Sequence, residues 1–252
     1  MTIDAPLLCQ VPELRKLWQE AFGDTDAFLD GFCRTALSAD RCRCVTVDDR
    51  VASAVYWFDC SCDGHRVAYL YALATAKAHR GRGLGRKLME HVHELLASQG
   101  YETVLLVPGE ESLRRYYEAM GYRTCTTFRE FECTGGPEDL QCRSVSAAEY
   151  GRLRRERLPE GAVLQEKESL DFLALQAKFY AGSDFLLAAR KREQTLFGLE
   201  LLGNPNLAPA ILRSLGCCEG TFRIPGGEEP FAMALPLKPG AVIPRYFAFA
   251  FD

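Results

Sequence analysis

Between His79 and Glu90 the chain reads His-Arg-Gly-Arg-Gly-Leu-Gly-Arg-Lys-Leu-Met-Glu. Gly81, Gly83 and Gly85 alternate with Arg80, Arg82 and Leu84, and Arg86 follows. The chemistry this spacing offers is the binding of an anion carrying more than one charge. Glycines let an oxyanion approach the main chain without a Cβ in the way. The first N–H groups of a helix have no intrahelical partner, and the helix dipole favours negative charge there. Arg80, Arg82 and Arg86 add guanidinium groups where a diphosphate would sit. A bare Gly-x-Gly-x-Gly also serves as a solvated basic turn, so the flanking pattern decides. Val67–Thr75 upstream is rich in β-branched, aromatic and aliphatic residues and reads as a strand, and an amphipathic helix pattern follows directly.

The interval is wrong for a nucleotide P-loop, which needs Gly, four residues, then Gly-Lys-Ser/Thr, and it lacks the G-x-G-x-x-G of a dinucleotide site. Arg80-Gly81-Arg82-Gly83-Leu84-Gly85 instead resembles the Arg/Gln-x-x-Gly-x-Gly/Ala signature of GCN5-related N-acetyltransferases (GNAT). Tyr117-Glu118-Ala119-Met120-Gly121-Tyr122 resembles that family's Tyr-x-x-x-Gly-Phe/Tyr signature. The resemblance covers roughly residues 1–134. It implies an α/β (α+β) GNAT fold, with a mixed, mostly antiparallel sheet flanked by helices, and acetyl-coenzyme A as co-substrate without a metal.

The same resemblance implies site residues. Leu73, Ala74 and Thr75 would hold the pantetheine arm through main-chain groups of a splayed strand, where a bulge would aim N–H groups at the thioester oxygen. The pyrophosphate would fall to Arg80, Gly81, Arg82, Gly83, Leu84, Gly85 and Arg86. Tyr117 is the candidate general acid, because a phenol of ordinary pKa about 10 stays protonated at neutral pH and its spacing to Gly121 fits the motif where that of Tyr116 does not. The strand Ala68–Thr75 contains no carboxylate, where many family members place a glutamate as base. Asp252, which ends the apolar run Tyr246–Phe251, is a candidate for that duty, as in the enhanced-intracellular-survival type of acetyltransferase. Proton loss relayed by water through Asp59 or His65 is the other route. The expected acceptor is a primary amine of a small molecule or peptide. The competing reading is an inactive acyl-coenzyme A-binding sensor or assembly module.

The elements that must position these groups follow in order. Leu14, Leu17, Trp18, Ala21 and Phe22 recur at helical spacing over Pro12–Phe22, and a second helix carries Phe28, Phe32 and Leu37. Arg41–Val47 and Val51–Cys60 read as a hairpin, and Asp63-Gly64 turns into the strand before the loop. A helix ending at Gly100, a buried parallel strand Thr103–Val107, a helix Glu110–Met120 and a strand through about Cys133 complete the first half. His91 and His93 are expected to be exposed. Thr134-Gly135-Gly136-Pro137 reads as a linker between domains at 1–134 and 140–252.

The second half repeats helix, helix, hairpin, helix. Ser146 and Glu149 form a capping box, and Arg152, Arg154, Arg155 and Arg157 predict a solvated basic face. A helix over Leu170–Tyr180, a hairpin over Phe185–Leu202, a helix over Leu207–Leu215 and strands at Gly220–Ile224, Pro230–Leu235 and Ile243–Phe249 are expected. Gly203-Asn204-Pro205-Asn206 stands where the glycine-arginine loop would be, and Pro205 has no N–H to donate. The expectation is a degenerate second GNAT-like domain without its own cofactor site.

Thirty basic against 34 acidic side chains give a formal net charge of −4, which points away from nucleic acid. No apolar segment is long enough to cross a bilayer, and Met1–Gln10 lacks the features of a secretory leader, so a cytoplasmic protein is expected. Eleven cysteines, an odd number with no Cys-x-x-Cys spacing, predict buried apolar thiols in place of a disulfide framework or zinc ribbon. Homo-oligomerisation is left open by the sequence.

Overall fold

The computed structural model describes Met1–Phe251, so Asp252, the candidate base, lies outside the described residues. The elements in chain order are β1 (Thr2–Asp4), α1 (Val11–Phe22), α2 (Asp26–Thr35), β2 (Cys42–Val47), β3 (Arg50–Cys62), β4 (His65–Thr75), α3 (Leu84–Ser98) and β5 (Thr103–Leu106). Then come α4 (Glu111–Glu118), β6 (Arg123–Thr124), β7 (Thr127–Thr134), β8 (Arg143–Val145), α5 (Ala147–Arg157), β9 (Val163–Gln165) and α6 (Glu168–Leu173). The chain continues through β10 (Lys178–Ala181), β11 (Phe185–Arg192), β12 (Thr195–Gly203), α7 (Ala208–Ser214), β13 (Glu219–Pro225), β14 (Glu229–Pro230) and β15 (Met233–Pro236). Contacts divide the described residues into two compact units, one of residues 1–60, 65–106 and 235–242, the other of residues 61–64, 107–234 and 243–251.

In the first unit the sheet runs β1-β2-β3-β4-β5. β1, β2 and β3 pair antiparallel, while β4 and β5 are parallel. All four residues of β5 are buried, as a short apolar strand between two helices requires. Helix α1 ends at Gly23 with φ 75°, a left-handed C-cap, and α2 starts where the Thr25 hydroxyl accepts the Phe28 N–H at 3.3 Å. Together they bury Leu14, Leu17, Trp18, Leu29 and Phe32 against β3 and β4. β1, a three-residue edge strand, has no periodic pattern to announce it.

In the second unit a seven-stranded sheet runs β14-β7-β13-β12-β11-β10-β8, antiparallel except for β12 and β13. Helix α7 packs on it through Ala208, Ile211 and Leu212. Several expectations change here. The helix expected over Leu170–Tyr180 stops at Leu173, because Lys178–Ala181 is drawn into the sheet between β8 and β11. Thr134–Pro137 is no free linker, since the Gly135 N–H bonds Cys218 O at 2.8 Å and the Gly136 N–H bonds Pro209 O at 3.0 Å. The strand expected at Ile243–Phe249 reduces to one bridge, Ala162 to Tyr246.

The basic face of α5 also needs correction. Arg154 is fully buried and forks onto Glu200 on β12, Nε to Oε2 at 2.7 Å and Nη2 to Oε1 at 3.0 Å. The Tyr150 hydroxyl donates to the same carboxylate at 2.6 Å. His93 is likewise partly buried on α3, and burial lowers its pKa to about 4. Cys42, Cys44, Cys60, Cys62 and Cys217 are buried thiols, whereas Cys9 and Cys218 are exposed.

Candidate functional site

The geometry of the first unit's site begins with the place where β4 and β5 part. Their ladder runs from Val67 opposite Thr103 to Tyr69 opposite Leu105, and β5 ends one residue later. Tyr71–Thr75 therefore continues past the last residue of its parallel neighbour. Within that free stretch Ala72 has φ 52°. A residue with a Cβ pays about 1–2 kcal/mol for the left-handed region, so the irregularity at Ala72 is imposed by its surroundings. It interrupts the regular alternation of β4 immediately before Leu73, Ala74 and Thr75. Sequence reasoning expected a bulge but had no means of assigning it to Ala72, since alanine carries no turn signature.

Two contacts hold the strand end in this shape. The Ser53 hydroxyl on β3 donates to Ala74 O at 2.7 Å and shares a 2.9 Å hydrogen bond with Thr75 Oγ1. Arg80 Nε donates to Thr75 O at 3.0 Å, folding the first arginine of the loop back onto the strand. Ser53 was missed by sequence reasoning, although a hydroxyl within the buried run Val51-Ala-Ser-Ala-Val was a readable signal.

A turn at Lys77–His79 leads into the loop, and its first N–H, from Lys77, is accepted by Glu20 Oε1 of α1 at 2.5 Å. Gly81 has φ 74° and Gly83 φ 73°, and a Cβ at either position would meet nothing within 4 Å. Glycine is thus needed for conformation, and the space beside it is open to an incoming group. Gly83 is the N-cap of α3 and no side chain caps that helix end. The first intrahelical bond is Lys87 N to Gly83 O at 3.1 Å, so the N–H groups of Leu84 and Gly85 emerge from the helix end without partners. Gly85 itself is helical. Leu84 is buried and anchors the turn, whereas Arg82 and Arg86 are exposed, Arg86 lying 4.0 Å from Glu90. Open Cβ space, free N–H groups and exposed arginines fit a diphosphate, and the parted strands beside them fit an extended amide-bearing arm.

The structure thus brings Leu73–Thr75 and Arg80–Arg86 together in one unit. Asp59 and His65 are placed elsewhere. His65 is at the far end of β4, roughly 25 Å along the strand from Leu73 at the usual rise per residue, and its Nδ1 is 2.9 Å from Glu102 Oε1. Lys238 Nζ, 2.8 Å from the same oxygen, and His65 hold the Glu102 carboxyl below its ordinary range. Asp59 accepts the Tyr101 hydroxyl and sits 3.8 Å from Arg41. Burial, with the Asp59 bond second, pushes Tyr101 up to about 12.

The second unit contains Tyr117, on the buried face of α4, with its ring centroid 5.2 Å from Tyr116 and 5.7 Å from Tyr122. Burial, with a smaller push from Tyr116, raises its pKa to about 12. This unit also has its own parallel pair, β12 and β13, whose ladder ends at Gly198 opposite Phe222, with a register shift between Ala188 and Ala189 on the neighbouring β11. Two residues beyond that point on β12, Glu200 is held by the fully buried Arg154 and Tyr150. The turn after β12 is closed by Asn204 Oδ1 accepting the Asn206 N–H at 3.0 Å.

Residues 9–125 match the family described as an acetyltransferase (GNAT) domain. A solved GCN5-related N-acetyltransferase from Kribbella flavida is 18% identical, with a TM-score of 0.73 over 94% of this chain and 72% of that one. Another from Anabaena variabilis is 13% identical, with a TM-score of 0.74 over 94% and 73%. Eis1 from Mycobacterium abscessus is 12% identical, with a TM-score of 0.69 over 94% and 74%. At these identities the structural likenesses establish the fold. A search of curated proteins finds no match.

Proposed function

We propose, for a chain whose residues 9–125 match the GNAT acetyltransferase domain, that it moves the acetyl group of acetyl-coenzyme A onto a primary amine by direct attack. The observation that carries the reading is the end of β4. A strand that outlasts its parallel neighbour and turns at Ala72 leads straight into a loop of open, left-handed glycines at an uncapped helix end. In this scheme Arg80–Arg86 take the pyrophosphate and Leu73–Thr75 take the pantetheine amides. The thioester supplies an activated carbonyl, and main-chain N–H groups released by the irregularity at Ala72 polarise its oxygen.

Tyr117 is assigned as the acid at the leaving sulfur. Its phenol, pushed to about 12, is protonated at every physiological pH. Against a thiol of ordinary pKa about 8.5, full transfer to a free thiolate would be uphill by about 3.5 units, roughly 5 kcal/mol. The proton is therefore shared with sulfur while the C–S bond breaks, stabilising the charge without being handed over early. Asp252 is retained as the proposed base, and the second half is proposed as a degenerate GNAT-like domain that takes no cofactor.

The reaction is tested by thiol release from acetyl-coenzyme A across a panel of primary amines. Steady turnover is expected. Tyr117→Phe should lower kcat about 10- to 100-fold while leaving coenzyme A binding intact, the span of a hydrogen bond to a developing charge. Tight coenzyme A binding with no turnover on any amine would overturn the enzymatic reading in favour of a sensor.

A further inference from the structure

The acceptor side of the first unit's site is specific enough to name a substrate class. We infer that this protein selects a monoamine whose amino group is carried on an aryl or similarly bulky apolar skeleton, in preference to a polycation. The inference rests on the acyl-transfer reading above and concerns the walls through which the amine must reach Ala72–Thr75.

Those walls are aromatic. Tyr71, the residue before Ala72, directs its half-buried ring to the α1–α2 side of the sheet, 5.6 Å from the centroid of the buried Trp18. Around that indole stand Phe28 at 6.3 Å and Phe22 at 5.8 Å. Phe22 is 48% exposed, and Phe28 and Tyr71 are only partly covered. The rim is therefore ring faces and edges open on one side, over a packed aromatic floor. The bond from the Lys77 N–H to Glu20 fixes where this rim lies. It ties the C-terminal turn of α1, two residues before Phe22, to the exit of β4, beside the proposed thioester position.

The carboxylates that would be needed to gather a polycation are occupied. Residues 11–35 contain five acids, and each has a partner. Glu13 accepts the Val51 N–H at 2.8 Å and pairs with Arg50 at 2.9 Å. Glu20 holds the Lys77 N–H, and Asp24 holds Trp18 Nε1 at 2.7 Å. Asp26 and Asp30 share Arg15, at 3.0 and 2.7 Å. A multiply charged acceptor would have to compete with Arg50 for Glu13 and with Arg15 for Asp26 and Asp30, and of these five acids Glu20 and Asp24, held by neutral N–H groups, keep an unpaired charge. A single ammonium loses little here, because aromatic faces attract one cation and the amine must shed its proton before attack in any case. An aryl group gains ring contacts on Phe22, Phe28 and Tyr71.

The test compares kcat/KM for 2-phenylethylamine and tryptamine with that for spermidine, at fixed acetyl-coenzyme A, in the whole protein. The aryl amines are expected to be favoured by about tenfold or more, the range by which apolar pockets discriminate. Phe22→Ser, at a half-exposed position that does not threaten folding, should erase most of that preference without changing the affinity for coenzyme A, and Phe22→Tyr should restore it. A preference for spermidine, or an aryl preference untouched by Phe22→Ser, overturns this inference while leaving the acyl-transfer reading standing. Absence of turnover with every amine overturns both.

Discussion

Ala72 offers the most discriminating perturbation of the site. It is the one residue of β4 with positive φ, and on the present account it is what frees main-chain donors for the thioester oxygen. Alanine already pays about 1–2 kcal/mol for that conformation. A β-branched side chain makes it an outlier costing about 1–3 kcal/mol, enough to let the strand relax toward regular pleating. Removing a single donor of this type is worth about 2.7–4 kcal/mol, or about 10²–10³ in kcat. Ala72→Val is therefore expected to lower kcat by about two orders of magnitude. The dissociation constant for coenzyme A should change less than about threefold, because the loop contacts at Gly81–Arg86 are unaltered and carry most of the charge recognition. Ala72→Gly, which adopts positive φ without strain, should keep kcat within about twofold. Thiol release under saturating amine, together with calorimetry and thermal melts to verify folding, reads all three. A folded Ala72→Val protein with unchanged kcat would refute the assignment of the thioester oxygen to this stretch.

The buried ion pair of the second unit gives a stability prediction. Arg154→Met leaves the Glu200 carboxylate in the core beside Tyr150 and Tyr246 without its cation, and should destabilise the protein by about 3–5 kcal/mol. Adding Glu200→Leu should recover much of that loss, which denaturant titration of the single and double variants would measure. His93 gives a pH prediction. Its folded pKa of about 4 is lowered by burial, so its contribution is fully present above the unfolded value near 6.5. That contribution is lost as pH falls from about 6.5 through 4, where the unfolded chain binds the extra proton. His93→Gln should flatten the decline of melting temperature across that window, and an unchanged decline would exclude His93 as its source.

The readable parts of this chain were those where residue type and conformation are tightly linked. Gly81 and Gly83 could be singled out because left-handed φ at an open turn all but demands glycine, and Leu84, Leu88, Val92 and Leu96 mark the buried side of α3. Ala72 could not be found, since its conformation is imposed by the sheet. Arg154 was hidden among three other arginines on α5. The clue was its partner, a lone acid in the apolar run Gly198-Leu-Glu-Leu-Leu202 that lies 46 residues away. The helical spacing after Leu170 was overridden when Phe179 and Ala181 found places in the sheet opposite Ala188 and Leu186 respectively. Pro244, without an N–H, helps explain why the apolar C-terminal segment makes a single bridge and no ladder. Asp24, Asp26, Asp30, Asp59 and Asp63 are structural acceptors, Asp63 taking the Gly161 N–H at 3.2 Å. Side-chain pairing across such distances along the chain leaves no periodic trace.

The proposed function requires the main chain from Gly81 to Gly85 to receive the pyrophosphate of coenzyme A. Calorimetric titration of coenzyme A into the wild-type protein and into Gly83→Val tests it most directly. One site per chain is expected in the wild type. In the variant the dissociation constant should rise at least about tenfold, since a β-branched residue cannot hold the left-handed N-cap at small cost. Equal affinity in the two proteins, or no heat in either, would contradict it.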